Sequence, residues 1–310
     1  MGSAQCQNMD RKDLVSVIVP AYYSGVSLWD AVESVLEQTY RPLQLIVCDD
    51  GTDGFSADAL RKELSRYGRE TECTVIHHAE NLGTVENLCS GLELAKGEWV
   101  ILLAADDRLL NRTVVEGLIR QAEEQNAEWI VPKTALGSAN GPVEPGEELS
   151  VLLRTGDGCK LYERLCFHCC LPASGGLYRK KVLQEAGGFD RRFRLVEDWP
   201  LFLKLVRNGI LPKESGGVVT VRAAEGVSGS RAGKNYGYQK DLMNVMREVI
   251  LPEREILSDK ARKRLERWIK DKESIFELRF QCKTMGEKLG WFLSHPGVIL
   301  RKMRRGGTAE

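Results

Sequence analysis

An apolar run that stops abruptly at two carboxylates constrains this chain more than any other feature. Trp99-Val100-Ile101-Leu102-Leu103 follows Gly97 closely and leads, through Ala104 and Ala105, to Asp106-Asp107. Such a succession of apolar and aromatic residues suits a central strand of a mostly parallel sheet covered on both faces. Sheets of this kind collect ligands at the carboxyl ends of their strands, where these two acids fall. Neighbouring carboxylates repel, and desolvation raises the cost, so the pair needs a partner. A hard divalent cation, Mg²⁺ or Mn²⁺, is one such partner, and Mg²⁺ shares its remaining positions with water and substrate phosphates. The competing reading makes the acids caps of a helix beginning near Thr113, or members of a solvated turn. For Asp107 the two readings balance; for Asp106 the metal is favoured.

The same pattern recurs upstream. Leu14-Val15-Ser16-Val17-Ile18-Val19-Pro20 is a β-branched run closed by proline. Leu28, Ala31, Val32, Val35 and Leu36 follow at helical spacing, and the helix ends at Gln38-Thr39-Tyr40-Arg41-Pro42. Leu43 to Cys48 forms a second strand, finishing in Asp49-Asp50-Gly51-Thr52-Asp53-Gly54. This is a βαβ unit with acids again at a strand tip. A helix over about 57–67, a strand from Thr74 to His78, the loop Ala79–Thr84 and a helix carrying Val85, Leu88, Leu92 and Leu94 lead to the Trp99 strand.

Beyond the acid pair the pattern predicts a helix over 113–124, a short strand at Trp129-Ile130-Val131, a mobile loop over 137–146 and a helical stretch near 161–165. Between Leu171 and Tyr178, Gly175 and Gly176 would let a ligand or a backbone approach closely. Gly187-Gly188-Phe189-Asp190 then leads to Val196-Glu197-Asp198-Trp199-Pro200 and a helix with Leu201, Leu205 and Val206 on its apolar face. Asp198 carries two readings: an N-terminal acid that complements the helix dipole, or an independent acid suited to be a general base.

Several classes fall away. With 44 basic against 44 acidic residues there is no global field to recruit nucleic acid. Gly-x-Gly-x-x-Gly does not follow the first strand, and Gly-x-x-x-x-Gly-Lys-Ser/Thr occurs nowhere, which argues against dinucleotide-binding and P-loop enzymes. Nine cysteines, an odd number, and a polar opening without a secretory pattern suggest a reducing cytoplasm. Cys166, Cys169 and Cys170 with His168 look like half a zinc site, but no second pair follows at finger spacing, so they read as ordinary thiols. His77 and His78 read as structural strand-end histidines.

Taken in order, the informative segments are Val17-Ile18-Val19-Pro20-Ala21-Tyr22, Gln38-Thr39-Tyr40, Ile46-Val47-Cys48-Asp49-Asp50-Gly51-Thr52-Asp53, Asn81-Leu82-Gly83, Ala95-Lys96-Gly97-Glu98-Trp99-Val100, Ala105-Asp106-Asp107, and Gly188-Phe189-Asp190 before Glu197-Asp198-Trp199. Over roughly residues 14–225 the chain resembles the inverting family 2 glycosyltransferases of GT-A fold, especially those assembling bacterial capsular, lipopolysaccharide and other surface glycans. The resemblance implies an α/β catalytic domain and a nucleotide-diphospho-sugar donor, taken here as a UDP-sugar. It places Pro20, Ala21, Tyr22, Asn81, Gly83, Asn87, Ala105 and Asp106 around that donor, with Asp49 accepting from its base. Mg²⁺ or Mn²⁺ would sit at Asp106, and Asp198 would be the catalytic base. Gly175, Gly176, Glu197 and Trp199 would face the acceptor, a hydroxyl of a glycan or lipid-linked glycan. One departure stands out: the family's acidic motif commonly reads Asp-x-Asp-Asp, and its first position here is Ala104. The alternatives are a non-catalytic nucleotide-sugar-binding module of the same fold and a nucleotidyltransferase. The latter would want a Gly-rich basic loop near the first strand, and none is present.

The division expected is a flexible leader over 1–13, the catalytic domain over 14–228 and a helical, basic segment over 229–310. In that last part Leu242, Val245, Met246 and Val249, then Ala261, Leu265, Trp268 and Ile269, recur at helical spacing. Lys260, Arg262, Lys263, Arg264, Arg267 and Lys270 crowd the second helix, and Arg301-Lys302-Met303-Arg304-Arg305 follows Trp291-Phe292-Leu293 and Val298-Ile299-Leu300. No apolar run approaches the ~20 residues of a membrane span. Two readings are equally weighted: a segment lying on anionic lipid, or a helix packed on the core with a solvated basic face. The first would make the protein peripheral on the inner face of the cell membrane.

Overall fold

The computed structural model describes residues 13–67, 71–222 and 235–299. Nearly all of the expected leader, the boundary at 228/229 and the basic cluster at 301–305 lie outside them. The chain divides into two compact units, residues 1–231 and 232–310.

The first unit is built on a sheet of nine strands among the described residues, ordered β3-β2-β1-β4-β8-β6-β9-β5, with β7 beside β6. Strand β1 (Val15–Ala21), helix α1 (Val26–Leu36), strand β2 (Leu43–Asp49), helix α2 (Ala57–Leu64), strand β3 (Thr71–His77), helix α3 (Thr84–Leu94) and strand β4 (Trp99–Leu102) alternate as expected. All four strands run parallel. β2 and β4 are buried along their whole length, which is why they read as apolar runs, broken in β2 only by Gln44 before it ends in Asp49. Each fully buried Val, Leu or Ile contributes about 1.5–3 kcal/mol.

Past β4 the sheet becomes mixed. Strand β5 (Asp107–Leu109), helix α4 (Val114–Glu124), strand β6 (Trp129–Leu136), strand β7 (Val143–Glu144), helices α5 (Glu147–Thr155) and α6 (Gly158–Phe167), strand β8 (Leu177–Arg179), helix α7 (Lys180–Glu185), helix α8 (Asp198–Arg207) and strand β9 (Lys213–Arg222) complete the unit. β8 is antiparallel to both β4 and β6, β9 is parallel to β6, and β5 is antiparallel to β9. Part of the stretch expected to be a loop, 137–146, instead folds back as β7 against Thr134 and Ala135.

Two polar clusters explain polar residues in otherwise apolar elements. Ser16 Oγ donates to Gln44 Oε1 at 2.6 Å, and these two side chains accept from the Gly97 and Lys96 amides at 2.9 Å each, holding the turn into β4. Gln38 donates to the Asn111 carbonyl at 2.7 Å and accepts from Val115 N–H at 3.0 Å. It thereby satisfies a free amide at the start of α4, where Thr113 makes no side-chain cap.

In the second unit, helix α9 (Tyr236–Val245) leads to helix α10 (Asp259–Phe280) and helix α11 (Met285–Ser294). Met243, Val245, Met246, Ile250, Ala261, Leu265 and Ile269 are buried, which is the apolar face the spacing predicts, rotated by about one residue on α9. Charges on α10 are paired: its Arg262 with Asp259 at 2.7 Å, and its acids Glu266 and Glu273 with Arg254 at 3.1 Å and Arg247 at 2.6 Å from the preceding segment. Among the described residues no helix is long and apolar enough to cross a membrane.

Candidate active site

The parallel register aligns three strand tips in one row, with Ala21 beside Asp49 and Asp49 beside His77. Asp49 is 1% exposed. Its Oδ2 accepts from Thr52 N–H at 2.9 Å and from His77 Nδ1 at 2.8 Å. The His77 ring stacks on Phe55 with centroids 5.4 Å apart. His77, read from sequence as structural, thus stands directly on the acid expected to meet the base. Both residues end neighbouring parallel strands, and that alignment was the available signal.

Asp50 does different work. Its Oδ1 accepts from Leu82 N–H at 2.7 Å, and its Oδ2 from Gly83 N–H and Asn81 Nδ2 at 2.9 Å each. It pins the 80–83 loop against the tip of β2. Gly51, at φ +75°, permits that closeness: a Cβ there would stand 2.4 Å from the Glu80 carbonyl carbon. Gly83, at φ +97°, lets Arg194 approach, since a Cβ would lie 2.7 Å from the Arg194 carbonyl oxygen. Arg194 in turn donates to the Asn81 carbonyl at 2.8 Å and to Asn81 Oδ1. Asn81 and Gly83 therefore belong to one braced loop beside Asp49. Pro20 and Ala21 close β1, and Tyr22 after them leaves its ring half exposed, edge-on to Tyr23 at 4.7 Å. Asn87, expected near the donor, is buried and donates to the Cys48 carbonyl at 2.7 Å, fastening α3 to β2.

After β4 the chain turns at Ala105-Asp106, with Asp107 N–H donating to the Ala104 carbonyl at 3.0 Å. Ala104 N–H donates to Ser174 Oγ at 3.0 Å, which holds this turn to the segment before β8. Asp106 is half-buried at the turn. Asp107 is neither a helix cap nor a solvated turn residue. It is buried in β5 opposite Arg222, whose Nε lies 3.9 Å from its Oδ2. Arg222 also pairs with Glu144 at 3.3 Å.

Among the described residues no group of three or more His, Cys, Asp or Glu side chains could hold a metal ion by itself. One carboxylate at a strand tip does fit a cation that arrives on a diphosphate, because Mg²⁺ is commonly held by one or two carboxylates with phosphates and water supplying the rest. The residues present therefore suit a substrate-borne ion.

The third acid pair opens α8. Glu197 occupies the N-cap position without a side-chain capping bond, and Asp198 Oδ1 accepts the adjacent Trp199 N–H at 2.6 Å. Neither acid caps the helix in the usual manner, in which the side chain reaches two or three residues ahead. Trp199 is buried and donates from Nε1 to the Leu165 carbonyl at 2.6 Å, tying the start of α8 to the end of α6. Burial pushes both carboxyls up; the charge of Asp198 pushes Glu197 further. Asp198 is held back by the Cys169 thiol, by Trp199 N–H and by the positive charge of Arg222, whereas Glu197 has only its own amide. More groups therefore stabilise the charge of Asp198 than that of Glu197. Cys169 remains a thiol, raised by burial and by Asp198.

Gly175 and Gly176 lie on the β4 backbone: Gly175 N–H donates to the Leu102 carbonyl at 2.5 Å and Leu102 N–H to Gly176 at 3.4 Å. The close approach at these glycines is thus to backbone, one of the two partners anticipated. Sequence reasoning missed Arg222 and Cys169, which reach Asp107 and Asp198, and Ser174 and Arg194, which hold the Ala104 turn and the 80–83 loop. Two clefts of about 360 and 310 Å³ lie elsewhere, one lined by Arg247, Lys270 and Glu273, the other by Asp30, Glu33 and Arg108. Chemistry rather than concavity locates the site.

The family model described as Glycosyl transferase family 2 matches residues 16–185. Glycosyltransferase GlyG of Streptococcus pneumoniae serotype 4 is 29% identical over 119 residues, 38% of this chain and 38% of that protein, so the match takes in well under half the length of either. A PGL/p-HBAD biosynthesis glycosyltransferase of Mycobacterium tuberculosis is 23% identical over 199 residues, 64% of this chain and 72% of that one. Among solved structures, S. aureus TarS 1–349 in complex with UDP-GlcNAc matches with a TM-score of 0.61 at 17% identity, over 92% of this chain and 80% of that one. Mannosyltransferase PcManGT from Pyrobaculum calidifontis, in complex with GDP-Man and Mn²⁺, matches with a TM-score of 0.58 at 17% identity, over 95% and 82%. These likenesses show the shared fold, the expected GT-A architecture.

Proposed function

The chain belongs to glycosyl transferase family 2, and we propose that it moves a glycosyl group from a nucleotide-diphospho-sugar, a UDP-sugar, to a hydroxyl of a glycan or lipid-linked acceptor with inversion. The carrying observation is the buried carboxylate of Asp198 at the start of α8, which accepts Trp199 N–H at 2.6 Å and lies beside the Cys169 thiol, whereas Glu197 makes no capping bond. Asp198 removes the acceptor hydroxyl's proton as its oxygen attacks the anomeric carbon, and the bond to the diphosphate breaks with its electron pair leaving on the nucleotide. Pro20, Ala21, Tyr22, Asp49, Asn81, Gly83 and Ala105 line the donor side; Gly175, Gly176, Glu197 and Trp199 line the acceptor side. Asp106 would hold Mg²⁺ or Mn²⁺, which supplies positive charge against the departing diphosphate.

Calorimetric titration of UDP with and without Mn²⁺ tests the donor site. Metal-dependent binding should weaken at least tenfold in Asp106→Ala; metal-independent UDP affinity equal in the two proteins would remove Asp106 from the role. Ala104 favours one second reading, donor binding without transfer. Intact UDP binding with no transfer or donor hydrolysis across candidate acceptors would establish it.

Contact of the C-terminal unit with anionic lipid belongs to the same proposal. Its support is α11, which leaves Met285, Leu289, Phe292 and Leu293 exposed by 82, 63, 46 and 77%. Full sedimentation with anionic liposomes after removal of residues 286–310 would rule that segment out as the contact.

A further inference from the structure

We infer that His77 is a positioning residue that leaves Asp49 one open oxygen for the donor's base, and that this selects uracil or thymine over guanine. The inference rests on the donor-site reading above and adds to it the base class and the side chain that imposes it.

A carboxylate has two oxygens with about two lone-pair sites each, and it cannot donate. Oδ2 of Asp49 has both sites filled, by Thr52 N–H at 2.9 Å and by His77 at 2.8 Å, where Nδ1 must therefore carry the hydrogen. Oδ1 accepts no hydrogen bond from the described residues, although the side chain is only 2% exposed. Oδ1 is thus unpaired within the described residues yet not sealed from solvent, so an incoming N–H can reach it. His77 is not free to swing away: its ring is stacked on Phe55, and its backbone is register partner to Asp49.

The base must then suit a single open oxygen. Uracil and thymine present one N–H, at N3, flanked by two carbonyls. Guanine presents two parallel donors, at N1 and N2, which an unencumbered carboxylate accepts one on each oxygen. With Oδ2 occupied, the second guanine donor meets a filled acceptor and loses its partner. Cytosine and adenine turn a ring-nitrogen lone pair toward the carboxylate, which repels it. Leaving a buried donor or acceptor unpaired is the kind of mismatch that polar sites reject most strongly.

The test is calorimetric titration of the full chain with UDP, dTDP, GDP, CDP and ADP in the presence of Mn²⁺. It is repeated for His77→Phe, which keeps a ring against Phe55 and removes the donor, and for His77→Asn, whose Nδ2 can take the place of Nδ1. His77→Ala, which removes the donor without added bulk, is read in the same way as His77→Phe. The unaltered protein should bind UDP and dTDP at least tenfold more tightly than GDP. That ratio should fall toward one in His77→Phe and return in His77→Asn, a change that loss of packing alone would not produce. GDP binding as tight as UDP in the unaltered protein, or an unchanged ratio in folded His77→Phe, would overturn the inference and leave the donor site standing. Binding of none of the nucleotides by the folded protein would instead overturn the donor-site reading.

Discussion

Two pairs of adjacent acids, Asp49-Asp50 at the end of β2 and Glu197-Asp198 at the start of α8, meet opposite treatment. At the β2 tip, hydrogen-bond donors are abundant: Thr52 and His77 serve Asp49, while Leu82, Gly83 and Asn81 serve Asp50. At the α8 start they are scarce, and burial raises both acids. An acid surrounded by donors becomes scaffold or a fixed acceptor. An acid buried with few donors keeps an affinity for protons, which is what a base requires. The number and direction of nearby N–H groups, more than the residue type, separates the two roles.

The largest effect that would sharpen this contrast is expected at the donor-poor pair. Asp198→Asn should lower the transfer rate about 10³-fold, roughly 4 kcal/mol of barrier, while UDP affinity stays within about twofold. Transfer within tenfold of the unaltered rate would mean that the proton goes elsewhere. At the donor-rich pair the cost should fall on folding. Asp50→Ala strands the Leu82 and Gly83 amides and should reduce stability by about 3 kcal/mol in urea unfolding. An unchanged urea midpoint would show that the 80–83 loop does not depend on this carboxylate.

The smallest effect concerns the proton shared at α8. Because Asp198 is raised and must be ionised to act, activity is lost as pH falls through its raised value. Glu197, raised further than Asp198, is still neutral where Asp198 ionises, so Glu197→Gln removes no charge there and the acidic limb of kcat/KM should stay within about 0.3 pH unit. Stability has its own sign. Since folding raises both carboxyls, the folded protein holds more protons than the unfolded chain above the ordinary carboxylate range, and stability declines as pH rises there. Glu197→Gln should flatten that decline. A limb that moves down by about one pH unit or more would show that Glu197 is charged beside Asp198 and break the comparison.

The strands easiest to read were those with the least choice. β1, β2 and β4 are covered on both faces, so burial writes them as apolar runs broken only by Ser16 and Gln44, and β2 and β4 lead into acids. β5 has three residues, β7 has two, and β9 carries Gly216-Gly217 at a register irregularity, so periodicity had little to act on. Their identity comes from antiparallel partners distant in sequence, which is also why the far half of the sheet is mixed.

Local chemistry along the chain determined the α/β alternation, the positions of Asp49, Asp106 and Asp198 at element ends, and the membership in a family whose members share that order. Tertiary structure decided what each acid does. Asp50 is bound by amides 32 and 33 residues away, Asp107 faces an arginine from another strand, and Asp198 is restrained by Cys169 and Arg222. Hydrogen bonding and charge act through distances of a few ångströms in space, and the linear chain does not record which distant donors will arrive.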